Sequence, residues 1–177
     1  MAWAFSDGNS ADFIQAEKDV QARVGSEPID FVAFGVISNV YRVASAMRNH
    51  MEREVLSSYD LSFTAFVVLF TLWVWGDSES HKVASRAGIT KGTLTGVVKT
   101  LEKRALCARI PHGSDKRRVI VGITPLGESI IEKVFPLYNK EETRLVERLT
   151  EQERLEMGHS LRTVLRTALD LKHTRGL

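Results

Sequence analysis

Apolar positions follow helical spacing over most of the chain. The segment Ile29–Ser57 has one early glycine and no proline, which predicts a long helix whose first turn can hold Pro28. A strongly apolar stretch, Leu61–Trp75, follows and stops at Gly76. Ser62 is well placed to cap it. The pattern predicts a mainly helical protein with this second helix in its core.

Two short helices come next. Ser78 or Ser80 can cap the first, which ends at Gly88, and Thr90 can cap the second. The apolar residues of the second helix recur at i, i+3, i+4 and i+7 and predict one buried stripe: Leu94, Val97, Val98 and Leu101. Short helices joined by a tight turn that contains glycine form a helix-turn-helix.

The periodicity changes after this pair of helices. The run Arg118–Thr124 is rich in β-branched residues and follows turn-forming residues, which predicts a small β-hairpin. Thr124 and Pro125 are start signals for a long helix that reaches about Leu149. Thr150–Glu153 forms a capping box for a last helix. The predicted fold is mainly α with one small hairpin.

Charge is concentrated in one segment of the chain. The 177 residues include 24 basic and 22 acidic side chains. Residues 81–118 hold ten of the basic and only two of the acidic ones, so the rest of the chain is acidic. A basic patch on an acidic body predicts a polyanionic partner. With 44% hydrophobic residues the chain can bury a core.

The second helix of the helix-turn-helix has a small, basic face opposite its apolar stripe. At 100° per residue that face carries Gly92, Gly96, Lys99 and Lys103, with Lys91, Thr95 and Thr100 at its edges. Each glycine weakens a helix by roughly 1 kcal/mol relative to alanine. Two of them on an exposed face indicate that the backbone approaches something large. A solvated helix face is the alternative interpretation.

The hairpin turn carries three consecutive cations: Lys116, Arg117 and Arg118. Beside a helix that reads the major groove, such a turn can place an arginine in a narrow minor groove. The alternative is a solubilising turn. Nucleic acid explains both basic features together.

The run Asp115–Gly127 resembles the wing signature of the MarR family, D-x-R-x-x-x-V-x-L-T-x-x-G, with Ile123 in place of the usual Leu. The segment Val83–Thr95 is similar to the helix-turn-helix of that family, and Leu101–Arg104 to the end of its second helix. The similarity in order and spacing covers about Ile29 to His173. The resemblance implies a winged helix-turn-helix in a triangular homodimer with intertwined N- and C-terminal dimerisation helices.

The resemblance suggests a division into three parts. Residues 1–28 would form an N-terminal arm, partly helical or flexible, with Ser10–Val24 as its helical stretch. Residues 29–57 and 125–173 would be the dimerisation helices. Residues 58–124 would be the winged helix-turn-helix domain that binds DNA.

The expected DNA contacts come from the helix-turn-helix and the wing. Base contacts are expected from Lys91, Thr93 and Thr95. Phosphate contacts are expected from Lys82, Arg86, Lys99, Lys103, Arg109 and Arg118, with Lys116 in the same basic turn. The resemblance assigns Arg117 to the minor groove and Asp115 to orienting a neighbouring arginine and stabilising the wing.

Two positions depart from the family pattern. Gly96 stands where many members carry arginine, which changes the expected base contacts. Ala105 replaces the usual glycine at the exit of the second helix. Because alanine tolerates positive φ poorly, we expect a different helix end there.

The resemblance also implies a small phenolic or carboxylate effector in a crevice beside the dimerisation helices. Such a site needs an apolar wall and one or two cations. The candidates are Tyr41, Arg42, Arg48, Phe66 and Trp73. Plain core and dimer-interface roles are the alternatives for these residues.

No catalytic, cofactor or metal site is expected. The five histidines lack metal-ligand spacing, and no nucleophile with a base or phosphate-binding loop is evident. Cys107, at the start of a strand, is predicted to be a buried structural thiol. One cysteine, no signal peptide and no apolar run of membrane length indicate a cytoplasmic protein with no membrane partner.

The sequence therefore predicts a transcriptional regulator, not an enzyme, that binds double-stranded DNA. We expect a ligand-responsive repressor that acts as a homodimer on a pseudo-palindrome with half-sites about 34–36 Å apart. One alternative is a non-sensing architectural protein that binds DNA with little sequence preference. Another is a protein whose basic patch binds an acidic partner protein.

Overall fold

The computed structural model describes residues 10–24, 27–111 and 119–174, and these are mainly helical, as predicted. The helices are α1 (Ser10–Val24), α2 (Phe31–Glu54), α3 (Phe63–Trp75), α4 (Ser80–Arg86), α5 (Lys91–Lys103), α6 (Pro125–Leu145) and α7 (Glu151–Thr174). The strands are β1 (Ser78–Glu79), β2 (Cys107–Pro111) and β3 (Val119–Ile123). The chain divides into two compact units, one up to Phe63 and the other from Thr64 onward.

In the N-terminal unit, α2 begins two residues later than predicted. The carboxylate of Asp30 accepts a hydrogen bond from the Ala33 N–H at 2.9 Å and caps the helix. The expectation that Pro28 lies in the first turn was therefore wrong, because the side-chain acceptor at Asp30 fixes the start. The helix ends at Glu54, before the predicted Ser57, and a short 3-10 turn covers Leu56–Tyr59.

The first helix, α1, packs on α2 in the same unit. Glu17 of α1 accepts hydrogen bonds from Arg42 at 3.4 Å and from Asn39 at 3.5 Å. Ala16, beside Glu17, is buried. The helical stretch predicted within the N-terminal arm is thus confirmed, and it is held to α2 by an ion pair.

The core of the C-terminal unit is built around α3. Phe66 stacks on Tyr138 of α6 with ring centroids 4.3 Å apart, and Phe70 lies 5.2 Å from Phe135. The fully buried apolar side chains of this unit come from four helices, one strand and the α5–β2 connection: Val68, Leu69, Leu72, Val83, Leu94, Val98, Leu101, Leu106, Val121, Ile131 and Val134. The prediction that this apolar helix lies in the core is confirmed.

The sheet has one strand more than the predicted hairpin. Strands β2 and β3 pair antiparallel, as predicted, with Cys107 opposite Ile123. Strand β1 pairs with the other edge of β3, so the order is β1-β3-β2. Ser78 therefore lies in a strand, and Ser80 is the first residue of α4 after the N-cap residue Glu79. Neither serine caps this helix, so the predicted serine cap was wrong. A two-residue strand has no pattern of its own, since it is defined by its pairing with Val121 and Ile120.

The predicted threonine caps are confirmed. The Thr90 hydroxyl accepts from the Thr93 N–H at 3.1 Å, and the Thr124 hydroxyl accepts from the Gly127 N–H at 3.0 Å. Glu153 accepts the Thr150 N–H at 2.8 Å in the predicted capping box. Helix α6 ends at Leu145, four residues before the predicted end.

The exit of α5 differs from the prediction. Ala105 adopts a left-handed conformation, φ 54°, so the expected change of helix end was wrong. The Leu106 N–H donates to the Leu101 carbonyl at 3.0 Å, as in a Schellman motif, and the Leu106 side chain is buried. The Thr124 hydroxyl donates to the Ala105 carbonyl at 2.6 Å. These contacts outweigh the cost of a left-handed alanine.

Candidate DNA-binding surface

Helices α4 and α5 form the predicted helix-turn-helix. Gly88 has φ +65° after α4, and the Ile89 N–H donates to the Ala84 carbonyl at 3.0 Å. Thr90 then caps α5, which begins at Lys91. Val83 and Ala84 are buried, so α4 presents its apolar side to the core and holds α5 at the surface.

Helix α5 separates an apolar and a polar side. Leu94, Val98 and Leu101 are buried and Val97 is half-buried, which confirms the predicted stripe. The opposite face is exposed and consists of Gly92, Gly96, Lys99 and Lys103. The centre of this face therefore has no side chain in the first two turns and two lysines in the following turns.

The threonines that flank the glycines use their hydroxyl groups within the helix. Thr95 donates to the Lys91 carbonyl at 2.9 Å, and Thr100 donates to the Gly96 carbonyl at 3.2 Å. The hydroxyl oxygens of Thr93 and Thr90 are 2.8 Å apart and share a hydrogen bond. Lys91 is the long polar side chain of the first turn.

Arg109 of β2 reaches back to α5. Its guanidinium lies 2.9 Å from the Glu102 carboxylate and donates to the Thr95 carbonyl at 3.4 Å. The Arg109 backbone N–H donates to the same carboxylate at 3.0 Å. Glu102 thus fixes β2 against α5 and offsets part of the Arg109 charge, so a phosphate at Arg109 would meet a partly neutralised cation.

The cations of α4 are also positioned by neighbours. Arg86 lies over the Trp75 ring, 5.4 Å from its centroid, and donates to the Ser78 hydroxyl at 3.2 Å. The Lys82 ammonium is 3.8 Å from the Glu79 carboxylate. Both side chains belong to exposed residues, so they lie at the surface of α4.

Strands β2 and β3 form the base of the wing. Ser80 of α4 donates its hydroxyl hydrogen to the Val119 carbonyl at 3.0 Å, which ties β3 to the helix-turn-helix. Asp115, Lys116, Arg117 and Arg118 lie outside the described residues. Their assigned contacts with DNA therefore stay predictions from the sequence.

Cys107 begins β2 and is 2% exposed, which confirms the predicted buried thiol. Burial, with a smaller contribution from the Glu102 charge, raises the pKa of Cys107 to about 11, and the Arg109 charge partly opposes the shift. The thiol is therefore protonated at neutral pH and a poor nucleophile.

The effector candidates fall in both units and are described within each. On α2, Tyr41 is 65% exposed, Arg42 binds Glu17, and the Arg48 guanidinium lies 5.1 Å from the Phe63 ring centroid. In the C-terminal unit, Phe66 is buried against Tyr138, and Trp73 lies 5.8 Å from Phe135. Phe66 and Trp73 thus contribute to an aromatic cluster in the core of that unit.

Two further observations concern residues 10–24, 27–111 and 119–174. No helix within these ranges is long and apolar enough to cross a membrane. Within them, His, Cys, Asp and Glu side chains form no group of three or more that could hold a metal ion.

The helix-turn-helix, the two-stranded base of the wing and the exposed basic face of α5 together define a class. They are the parts of a winged helix-turn-helix DNA-binding protein. Comparison with known proteins agrees with this class and narrows it to a family.

The sequence model of the MarR family matches residues 61–119. The chain is 38% identical over 161 residues to the HTH-type transcriptional regulator YwaE of Bacillus subtilis. The matched residues make up 89% of this chain and 92% of that protein. The chain belongs to the MarR family, and it is a DNA-binding transcriptional regulator.

Solved structures show the same fold. BpsR of Bordetella bronchiseptica superimposes with a TM-score of 0.66 at 25% identity, covering 72% of this chain and 97% of that one. The organohalide-sensing RdhR-CbdbA1625 regulator superimposes with a TM-score of 0.74 at 19% identity, covering 98% and 93%.

Proposed function

We propose that this regulator is a ligand-responsive repressor that acts as a homodimer on a pseudo-palindromic operator. The proposal adds four points to the established class of protein. These are repression, the oligomeric state, the geometry of the DNA site and the presence of a small effector.

An exposed leucine stripe on α7 is the observation that carries the homodimer. Leu155, Leu161, Leu165 and Leu169 are 62%, 45%, 59% and 50% exposed and fall on one side of the helix. Helix α2, in the other unit, also exposes apolar side chains, with Val32 at 79%. Monomeric proteins rarely expose large apolar patches to water. We therefore propose that a second copy of the chain packs on these side chains.

A two-fold dimer would present two copies of α5 to DNA. Their separation would match half-sites about 34–36 Å apart, one turn of the duplex. Lys91, Thr93 and Thr95 are the proposed base contacts, with phosphate contacts from the cations of α4, α5, β2 and the wing turn. Arg117 is the proposed minor-groove residue, and Asp115 is proposed to orient a neighbouring arginine.

The proposed effector is a small phenol or aromatic carboxylate. The DNA binding of BpsR, a structural relative, is regulated by 6-hydroxynicotinic acid. In this chain Arg42 already binds a carboxylate, that of Glu17, at 3.4 Å. Tyr41 lines an apolar groove of about 370 Å³ with Ala33, Phe34, Ile37 and Ser38. On α2, the proposed contact residues are Tyr41, Arg42 and Arg48. Phe66 and Trp73, the other two candidates from the sequence, pack in the aromatic core of the C-terminal unit.

Fluorescence anisotropy tests the proposal. The protein is titrated against its own upstream intergenic DNA and a scrambled duplex at several salt concentrations, with and without 6-hydroxynicotinic acid as a probe. We expect at least ~10³-fold tighter binding to the specific duplex and a steep fall of log K with log salt. Equal binding to both duplexes would instead support an architectural protein.

Substitution of the wing arginine adds a local test. Arg117→Ala is expected to weaken specific binding at moderate salt without changing the mass of the protein in solution. Unchanged affinity would contradict the wing assignment, whereas a change of mass would indicate a general effect on the fold.

A further inference from the structure

The two glycines on the exposed face of α5 are not required by the packing of the protein itself. A Cβ atom added to Gly96 would meet nothing within 4 Å, and one added to Gly92 would meet only the Thr90 hydroxyl at 3.8 Å, an ordinary contact. Both residues lie within a helix, where glycine is among the poorest residues and alanine the best. Their role therefore lies outside the protomer.

Both glycines occupy the part of α5 that would meet base edges. In a helix-turn-helix the N-terminal residues of the second helix face the bases of the major groove. On α5 this part carries Gly92 and Gly96 at the centre of the exposed face, while Lys99 and Lys103 follow toward the C-terminus. A helix without side chains at this point can lie closer to the base pairs than one with them.

The chemistry of this surface favours one base. The Thr95 and Thr100 hydroxyls already donate to main-chain carbonyls, so these threonines offer methyl groups and lone pairs. The glycines add only Cα hydrogens. A guanine presents acceptors that need donors, whereas the thymine 5-methyl is the apolar group of the major groove.

We propose that Gly92 and Gly96 form a contact surface on α5 that selects thymine 5-methyl groups in each half-site. The methyl groups fill the space that side chains at these positions would take. This inference rests on the proposed sequence-specific binding and assigns the base that α5 prefers. Lys91 is left to bind an acceptor on a neighbouring base pair.

The test begins with selection of bound sequences from a random duplex library by the full-length protein. Each thymine of the selected duplex is then replaced by deoxyuracil, which removes only the methyl group. We expect one or two thymines per half-site at which affinity falls about fourfold for each methyl group. Half-sites without such thymines would overturn the inference but leave specific binding intact; failure to enrich any sequence would overturn both.

Gly96→Ala supplies the complementary test. We expect a Tm about 2–4 °C higher, because alanine favours the helix, together with at least tenfold weaker binding and loss of the deoxyuracil effect. Gln15→Ala on the exposed side of α1 is the control, because it favours a helix outside the DNA-binding domain and the dimerisation helices and should leave DNA affinity unchanged. If Gly96→Ala binds DNA as tightly as the parent protein, the inference is wrong.

Discussion

Helices α5 and α7 each carry an apolar stripe, but the two stripes have different surroundings. In α5, Leu94 is 2% and Leu101 0% exposed, because the stripe packs inside its own protomer. In α7, Leu155 is 62% and Leu165 59% exposed. An apolar stripe thus predicts that one side of a helix packs against other apolar residues. It does not say whether those residues belong to the same chain. In α5 the exposed side is polar, and we propose that it meets DNA. In α7 the exposed side is apolar, and we propose that it packs on a second copy of the chain.

Truncation of a leucine in each helix should give the largest contrast. Leu101→Ala is expected to lower the free energy of unfolding by about 3 kcal/mol, because it opens a cavity in the core. Denaturant unfolding at two protein concentrations checks it. The stability lost in Leu101→Ala should not depend on protein concentration. The stability lost in Leu161→Ala should shrink as the protein concentration rises. Concentration-dependent loss in both variants would contradict the comparison.

A charge in the α7 stripe should separate the protomers. Leu165→Asp places a carboxylate where the dimer is proposed to bury a leucine, so the dissociation constant should rise at least ~30-fold, or about 2 kcal/mol. Sedimentation equilibrium should shift from twice the 19.8 kDa chain mass toward that mass. Circular dichroism checks that the helices remain. A parent protein that is already monomeric would refute the assigned role of α7.

Cys107, the first residue of β2, tests how completely the start of this strand is buried from water. Its pKa of about 11 in the fold exceeds the value of an exposed thiol. Below the unfolded pKa the thiol is protonated in both states; above it, unfolding releases a proton, so stability falls as pH rises toward 11. Cys107→Ala should remove roughly 1.4 kcal/mol of the alkaline loss of stability at pH 10. Identical pH profiles from 8 to 10.5 would contradict burial of the thiol.

Ala105→Gly should have the smallest effect on stability, and it should raise stability where the leucine variants lower it. Glycine adopts φ 54° without the Cβ penalty, so the variant should be about 1 kcal/mol more stable at the end of α5. Thermal unfolding would show the gain. Gly127→Ala is the contrasting variant, because a methyl group there would overlap with the Leu106 carbonyl oxygen. A destabilised Ala105→Gly would mean that the helix does not end in this way.

Features that depend on neighbouring residues could be predicted from the sequence. Thr90, Thr124 and Thr150 were identified as caps because a threonine hydroxyl binds N–H groups only three residues away. The apolar stripe of α5 and its basic face follow from the period of the helix. These local rules predicted the helix-turn-helix and the base of the wing.

Features that depend on distant residues could not be predicted in this way. Ser78 and Glu79 have little strand propensity and form β1 only because Val121 and Ile120 offer a free strand edge. Ala105 is left-handed because Thr124, 19 residues away, holds its carbonyl. Glu102, predicted simply as part of the helix end, proves to anchor Arg109 of β2. Each depends on a contact between segments that the local pattern does not encode.

The most direct test of the account changes the spacing of the half-sites in the selected duplex. Five base pairs inserted at its centre turn one half-site to the opposite face of the DNA, because a turn is about 10 base pairs. If two copies of α5 bind as a rigid pair joined through α7, affinity should fall at least ~100-fold, to that of a single half-site, and recover partly with ten inserted base pairs. Equal affinity for all three spacings would contradict a homodimer that reads both half-sites.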